Sequence, residues 1–136
     1  VMGITFNHTI VHATDKHTSA RFLADILGLA PPTTYGPFAV VQVGGTSLDF
    51  AEDHASGRIQ PQHYAFLVPE DEFDAIWERI QSLGLAFWAD SSHRKEGQIN
   101  HNDGGRGLYW LDPDGHNLEI ITVPYGGLAD SGVGAG

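Results

Sequence analysis

The sequence predicts an α+β fold made of two βαβββ modules, and three recurrences within the chain carry that prediction. The stretch Ile26-Leu27-Gly28-Leu29-Ala30 returns as Ser82-Leu83-Gly84-Leu85-Ala86, 56 residues later. His8 and His63, 55 residues apart, sit in the first strand of each copy, and Leu48-Asp49-Phe50 returns as Leu118-Glu119-Ile120 at a spacing of 70. The spacing grows by 14 residues between the helix and the last strand, which places an insertion in the second copy, in the polar stretch from Ser91 to His101. Self-similarity at the scale of whole elements marks a duplicated supersecondary unit.

Taken in order, Ile4 to His12 alternates, with Ile4, Phe6, His8 and Ile10 on one face, which is strand periodicity. Thr14 and Asp15 can cap a helix carrying Phe22, Leu23, Ile26 and Leu27, and Gly28 ends it. Pro31-Pro32 starts an extended segment. Strands over about 38–43 and 47–51 are joined by Gly44-Gly45-Thr46 as a tight hairpin. The second copy opens with a strand over 62–68. Pro69-Glu70-Asp71-Glu72 starts a helix whose stripe is Phe73, Ile76, Trp77, Ile80 and Leu83, closed by Gly84. Short strands are expected near Phe87 and in a closing hairpin, where the run Leu108 to Leu111 meets the turn Asp112-Pro113-Asp114-Gly115 before Leu118 to Val123.

With 136 residues, the chain is expected to form one domain over residues 1–125, its modules at about 4–53 and 62–123, with a flexible glycine-rich tail over 126–136. Apolar residues make up 41% and charged ones 18%, a globular balance. No run approaches ~20 uninterrupted apolar residues and no basic-then-apolar leader opens the chain, so a cytoplasmic location and no membrane partner are expected. Seventeen acids against seven bases give a net charge of -10, which repels nucleic acid and makes a polyanionic substrate less natural. The absence of cysteine removes disulfides, thiolate metal sites and cysteine nucleophiles. The eight histidines leave imidazole as the nitrogen ligand for a metal.

Glu119 is the one acid in an otherwise apolar strand, and burying a carboxylate without a partner is costly. If the two copies form facing half-barrels, His8, His63, Asp49 and Glu119 converge on the shared cavity. Two neutral imidazoles and a carboxylate make a three-cornered face that leaves coordination positions of a divalent cation open for substrate and oxygen. His8, His63 and Glu119 are therefore the candidate metal ligands. Asp49 is left with three readings: fourth ligand, base or solvated strand residue. His12, His17, His54 and His116 are expected at surfaces or turns, and Phe6, Phe50, Phe87, Trp88 and Trp110 could line an aromatic cavity or belong to the core.

From Asn7-His8 to Glu119-Ile120 the chain resembles the vicinal oxygen chelate superfamily of glyoxalase I, bleomycin-resistance proteins, fosfomycin-resistance thiol transferases and extradiol dioxygenases. Gln62-His63-Tyr64-Ala65-Phe66 and the segment Tyr109 to Glu119 carry the resemblance most specifically. It places the superfamily's metal triad on His8, His63 and Glu119, and small members often form homodimers. The extradiol pattern is matched by His101, Leu108-Tyr109, Asp112-Pro113, Gly115 and Glu119, which implies that His101 and Tyr109 hydrogen-bond the substrate's oxygens as catalytic residues.

The leading expectation is an iron(II) dioxygenase acting on a catechol-like small molecule. One departure is that those enzymes usually carry a further histidine about where Asp49 stands. A glyoxalase-like lyase or isomerase using zinc or nickel, with Asp49 as ligand or base, is the first alternative; manganese also suits the ligand set. A drug-sequestering binding protein is the second. The fosfomycin branch fits less well, because Ile10 replaces its hydroxyl residue, its serine-rich loop is absent, and Gln98 to Gly107 offers a phosphonate little beyond Arg106.

Overall fold

In each half of the chain a strand runs parallel to the module's last strand, and the helix between them provides the crossover. In the computed structural model, which describes residues 3–52 and 57–127, these elements fall into two compact units. One comprises 1–61 with 112–114 and the other 62–111 with 115–136. No helix among the described residues is long and apolar enough to cross a membrane.

The first unit holds β1 (His8–His12), α1 (Lys16–Leu27), β2 (Thr33–Tyr35), β3 (Phe38–Val43) and β4 (Thr46–Ala51) in one four-stranded sheet, ordered β1-β4-β3-β2. The Asp15 carboxylate accepts the backbone N–H groups of His17 and Thr18, satisfying donors that the first helical turn leaves without partners. Gly28 closes α1 in the left-handed conformation at φ 71°. Because strand side chains alternate, Val11, Leu48 and Phe50 are buried with the α1 residues Leu23, Ala24 and Ile26, while His8, Ile10 and His12 share the opposite face of β1. The Asp114 carboxylate belongs to this unit and accepts from Thr14 and Ser19 beside the start of α1.

The first strand is shorter than its alternation predicts. It begins at His8, because β4 begins at Thr46 and offers no partner beyond it; Ile4 and Phe6 are exposed. Periodicity alone does not make a strand where no ladder is available.

The second unit holds β5 (His63–Leu67), α2 (Glu70–Ser82), β6 (Gly107–Leu111) and β7 (Asn117–Ile121), its sheet ordered β5-β7-β6. Phe73, Ile76 and Ile80 are buried on α2, and Phe66, Leu108, Trp110, Leu118 and Ile120 on the strands. Ten residues lie between the end of α1 and the start of β3 (28 to 37) and twenty-four between α2 and β6 (83 to 106), a difference equal to the insertion of fourteen.

Where the first unit has β2, the second has isolated bridges, chiefly Trp88 to Tyr109, in place of a strand. The insertion satisfies its backbone locally: the Asp90 carboxylate accepts N–H groups of Arg94 and Lys95 that would otherwise seek a ladder. The tail from residue 128 and His54 lie outside the described residues.

Candidate functional site

The duplication is visible in strand register. His8 on β1 lies opposite Ser47, and Asp49, two residues along β4, lies opposite Ile10. His63 on β5 lies opposite Asn117, and Glu119, two residues along β7, lies opposite Ala65. Side chains two apart share a face, so each unit presents one imidazole and one carboxylate diagonally on the same side of a parallel pair. The third strand then differs: Val40 lies opposite Asp49, and Tyr109 opposite Glu119.

In the second unit His63 Nε2 is 3.0 Å from Glu119 Oε1, and His63 Nδ1 is 3.0 Å from the carbonyl oxygen of Asn117. A carbonyl only accepts, so Nδ1 donates to Asn117, while Nε2 meets Glu119 Oε1 as an ion pair when the ring is protonated and as a neighbouring ligand atom for a cation when it is not. Glu119 is 1% exposed, so its carboxylate depends on these protein neighbours for its hydrogen bonds. In the first unit His8 Nδ1 lies 2.7 Å from Asn7 Oδ1. The second unit's pair, an imidazole nitrogen beside a buried carboxylate, is of the donor type that suits a divalent transition metal.

Two phenols complete the second unit's cluster. The Tyr125 hydroxyl donates to Glu119, 2.8 Å from Oε1 and 2.9 Å from Oε2. Tyr109 is buried and its ring stacks on His63 with centroids 6.0 Å apart. Burial, then hydrogen bonding with Tyr125 and Glu119, pushes the Tyr109 phenol well above its ordinary range, so it keeps its proton. Tyr125 is pushed up as well, first by burial.

The insertion supports this cluster from behind. His93, at a positive φ of 62°, lies flat on Trp88 with ring centroids 3.9 Å apart. Its Nε2 is 2.9 Å from Asn117 Oδ1, on the residue whose carbonyl orients His63. Trp88 in turn exchanges two backbone hydrogen bonds with Tyr109.

The other sequence-derived residues are placed as follows. Asp49 is buried at 8% exposure and its Oδ1 accepts from Ser47 Oγ at 2.8 Å, so it is no solvated strand residue. His101 is exposed ahead of a 3₁₀ turn over Asn102–Gly104. His12 and His17 are exposed, but His116 is not the turn-surface residue expected: it is 1% exposed and its Nδ1 accepts the Gln62 N–H at 2.9 Å. Its ring folds back from the hairpin turn to satisfy a backbone donor that the sheet leaves over. Of the aromatic candidates, Phe50, Phe87 and Trp110 are core, Phe6 lies outside the strand, and Trp88 is half-buried against His93.

Arg106, the one cation near the closing hairpin that could meet a phosphonate, is paired with Glu70 and Asp74 and lies over the Phe73 ring. Among the described residues no group of three or more histidine and acidic side chains is drawn together as a ready-made metal cluster. Tyr125 and His93 escaped sequence reasoning. A lone aromatic after Pro124, just ahead of the glycine-rich tail, was the available signal for Tyr125; His93 gave none.

Two sets of relatives match this chain. Glutathione transferase FosA of Serratia marcescens is 28% identical over 121 residues, covering 85% of this chain and 79% of that protein. Metallothiol transferase FosB of Lysinibacillus sphaericus is 27% identical, covering 87% and 82%. Among solved structures, Oxidase ChaP-H1 is 63% identical with a TM-score of 0.87, covering 92% of this chain and all, 100%, of that one. Oxidase ChaP-H2 is 59% identical with a TM-score of 0.88, covering 93% and 98%. The fosfomycin branch, the weaker fit on sequence grounds, is thus represented among the relatives, at lower identity than the oxidases. A family model matches residues 5–120, and by that match the chain belongs to the Glyoxalase/Bleomycin resistance protein/Dioxygenase superfamily.

Proposed function

We propose that this chain is a divalent-metal enzyme of its superfamily that oxidises a catechol-like small molecule in the manner of an extradiol dioxygenase, with iron(II) held by His8, His63 and Glu119. The observation that carries the reading is His63 Nε2 lying 3.0 Å from the buried Glu119 Oε1, an imidazole and a carboxylate close enough to share one cation. Similarity of 59% and 63% to proteins named oxidases, over nearly the whole chain, favours oxidation over thiol transfer. The commitment of Arg106 to Glu70 and Asp74, and the net charge of -10, further disfavour an anionic phosphonate.

When bound, the metal supplies a Lewis-acid centre for the vicinal oxygens and a redox partner for dioxygen. The chain's own groups do the rest. Asn117 fixes the His63 tautomer, and Tyr125 orients the Glu119 carboxylate by donating to it. Tyr109 Oη, kept protonated by burial, is the hydrogen-bond donor to a substrate oxygen, and the exposed His101 is the group assigned to pass protons. Ring cleavage places both atoms of dioxygen in the product as the carbon–carbon bond beside the diol breaks, so no external reductant is required.

A glyoxalase-like isomerase on zinc or nickel is the second reading, favoured by the buried Asp49 at the register position equivalent to Glu119. A homodimer is proposed for either. The test is oxygen uptake by iron-loaded protein purified anaerobically and offered a catechol panel, with elemental analysis of wild type and Glu119→Gln. Oxygen consumed in step with diol, and metal lost in the variant, is expected. No uptake, with turnover of a methylglyoxal-thiol adduct on nickel, overturns the oxidase reading.

A further inference from the structure

The insertion of the second copy, with the residues leading into it, folds back on itself beside β6. Trp88 exchanges backbone hydrogen bonds of 2.9 and 2.8 Å with Tyr109, the Gly97 N–H donates to the Phe87 carbonyl at 2.8 Å, and the Ala89 N–H donates to the Lys95 carbonyl at 3.1 Å. At the tip, the Asp90 carboxylate accepts the N–H groups of Arg94 and Lys95. The loop is thus closed by its own backbone on both sides of His93, without help from the His93 ring.

His93 nevertheless carries a local cost. Its φ of 62° lies in the left-handed region, where a β-carbon crowds the backbone and glycine or asparagine is the ordinary occupant. A histidine held there points to a use for its side chain. The ring lies flat on Trp88, with 3.9 Å between centroids and 11° between planes, and Nε2 donates to Asn117 Oδ1 at 2.9 Å. The amide is oriented to receive it: Asn117 Nδ2 faces the Ser91 carbonyl at 3.5 Å, which leaves Oδ1 as the acceptor.

Asn117 opens β7, and the constraints on the candidate site meet on it. Its N–H donates to the Gln62 carbonyl at 2.8 Å, its carbonyl accepts from His63 Nδ1 at 3.0 Å, and Glu119 lies two residues further along the same strand. Local opening is easiest where a strand meets a loop, so a side-chain anchor at that point steadies the carbonyl that orients His63. The first unit has no such anchor. Ser47, which stands opposite His8 as Asn117 stands opposite His63, turns its hydroxyl to Asp49 Oδ1, and His8 Nδ1 meets the side chain of its neighbour Asn7.

We propose that the insertion serves to position the second unit's candidate metal-ligating imidazole: His93, acting through Asn117, sets the orientation of the His63 ring and so the strength with which His63 and Glu119 hold a cation. His93 is a positioning residue, since its contacts are with Asn117 and Trp88 and with neither ligand. The inference rests on the metal-enzyme reading and adds to it a determinant of metal affinity that the first copy does not possess.

Three substitutions separate this role from loop packing. His93→Phe keeps a ring to stack on Trp88 and removes the N–H. His93→Gly removes the ring and relieves the strained φ. His93→Gln restores a donor, its amide nitrogen lying as many bonds from Cβ as the imidazole Nε2 does. Calorimetric titration of the apoprotein with zinc should show affinity about tenfold weaker in His93→Phe and His93→Gly, the low end for outer partners of metal-ligating histidines, and largely regained in His93→Gln. The circular dichroism spectrum should be unchanged in all three. In the zinc-loaded protein with isotopically labelled histidine, the His63 Nδ1 proton, assigned in nuclear magnetic resonance spectra by its proximity to the Tyr109 ring, should be sharp in the wild type and in His93→Gln and lost to exchange with water in the other two. Wild-type zinc affinity in His93→Phe and His93→Gly, weakened affinity with an unchanged His63 signal, or no recovery in His93→Gln overturns the proposal. Failure of the underlying reading looks different: the wild type takes up no zinc, or Glu119→Gln binds it as tightly, and then both fall.

Discussion

The Tyr125 hydroxyl lies within 2.9 Å of both oxygens of Glu119, from beyond the end of the last strand. A carboxylate that accepts this bond is held in one rotamer and retains lone pairs for a cation. Groups that orient a ligand in this way typically change metal affinity by about 10–100-fold when removed.

Tyr125→Phe should therefore weaken metal binding by at least about tenfold while leaving the circular dichroism spectrum unchanged. Titration of the purified apoprotein with zinc or manganese measures it. An unchanged dissociation constant would mean that Tyr125 only covers the site.

His116 is buried and accepts the Gln62 N–H immediately before β5. His116→Ala leaves that donor short of a partner and opens a cavity beside Tyr64, whose ring meets His116 edge-on. A loss of about 1–3 kcal/mol in urea unfolding is expected from the unsatisfied donor alone. Metal stoichiometry should be retained, because His116 is structural.

Gly105 is required for space. A Cβ there would lie 2.6 Å from both Thr122 Oγ1 and Val123 Cγ2 and 2.9 Å from Val123 Cβ. Gly105→Ala should cost about 1–3 kcal/mol by overpacking, read as a lowered Tm. Gly104→Ala meets no such atoms and is strained through its φ of 81° instead. A Gly105→Ala protein as stable as wild type would show that the Thr122 and Val123 side chains yield freely.

The Glu70 carboxylate is held below its ordinary value of 4.5, first by the Thr122 hydroxyl and then by Arg106. A lowered folded-state value means that the unfolded chain binds the proton more readily, so this contribution is fully present above pH 4.5 and is lost as pH falls through the folded value. Glu70→Gln should flatten the acid limb of a stability-against-pH curve and leave the neutral-to-alkaline slope unchanged. A wild-type acid limb in the variant would show that this carboxylate does not contribute.

Much of the fold, and the strand register of the candidate residues, were legible in the sequence. The spacings that relate His8 to His63 and Asp49 to Glu119 become equivalent positions in two parallel strand pairs, because a duplicated chain repeats its ladder register. Asp15 and Gly28 could be assigned as caps because capping is local chemistry. The same locality misled for His116: Asp112-Pro113-Asp114-Gly115 marks a turn correctly, but whether a side chain next to it faces water depends on the backbone donor across the sheet. Phe50, Phe87 and Trp110 have the composition of a lining and the burial of a core.

By itself the sequence determined the two copies, the length and place of the insertion, and the recurrence of imidazole and carboxylate on each copy's first and last strands, since periodicity, caps and turns act over a few residues and survive without the rest of the chain. Tertiary structure alone decided that Glu119 is buried under the Tyr125 hydroxyl, that His93 holds Asn117 behind His63, and that Lys16 and Glu52 end an apolar cavity. Those are contacts between residues brought together from separate segments or turned back across a loop, and no local preference records which side chains packing will bring into hydrogen-bond range.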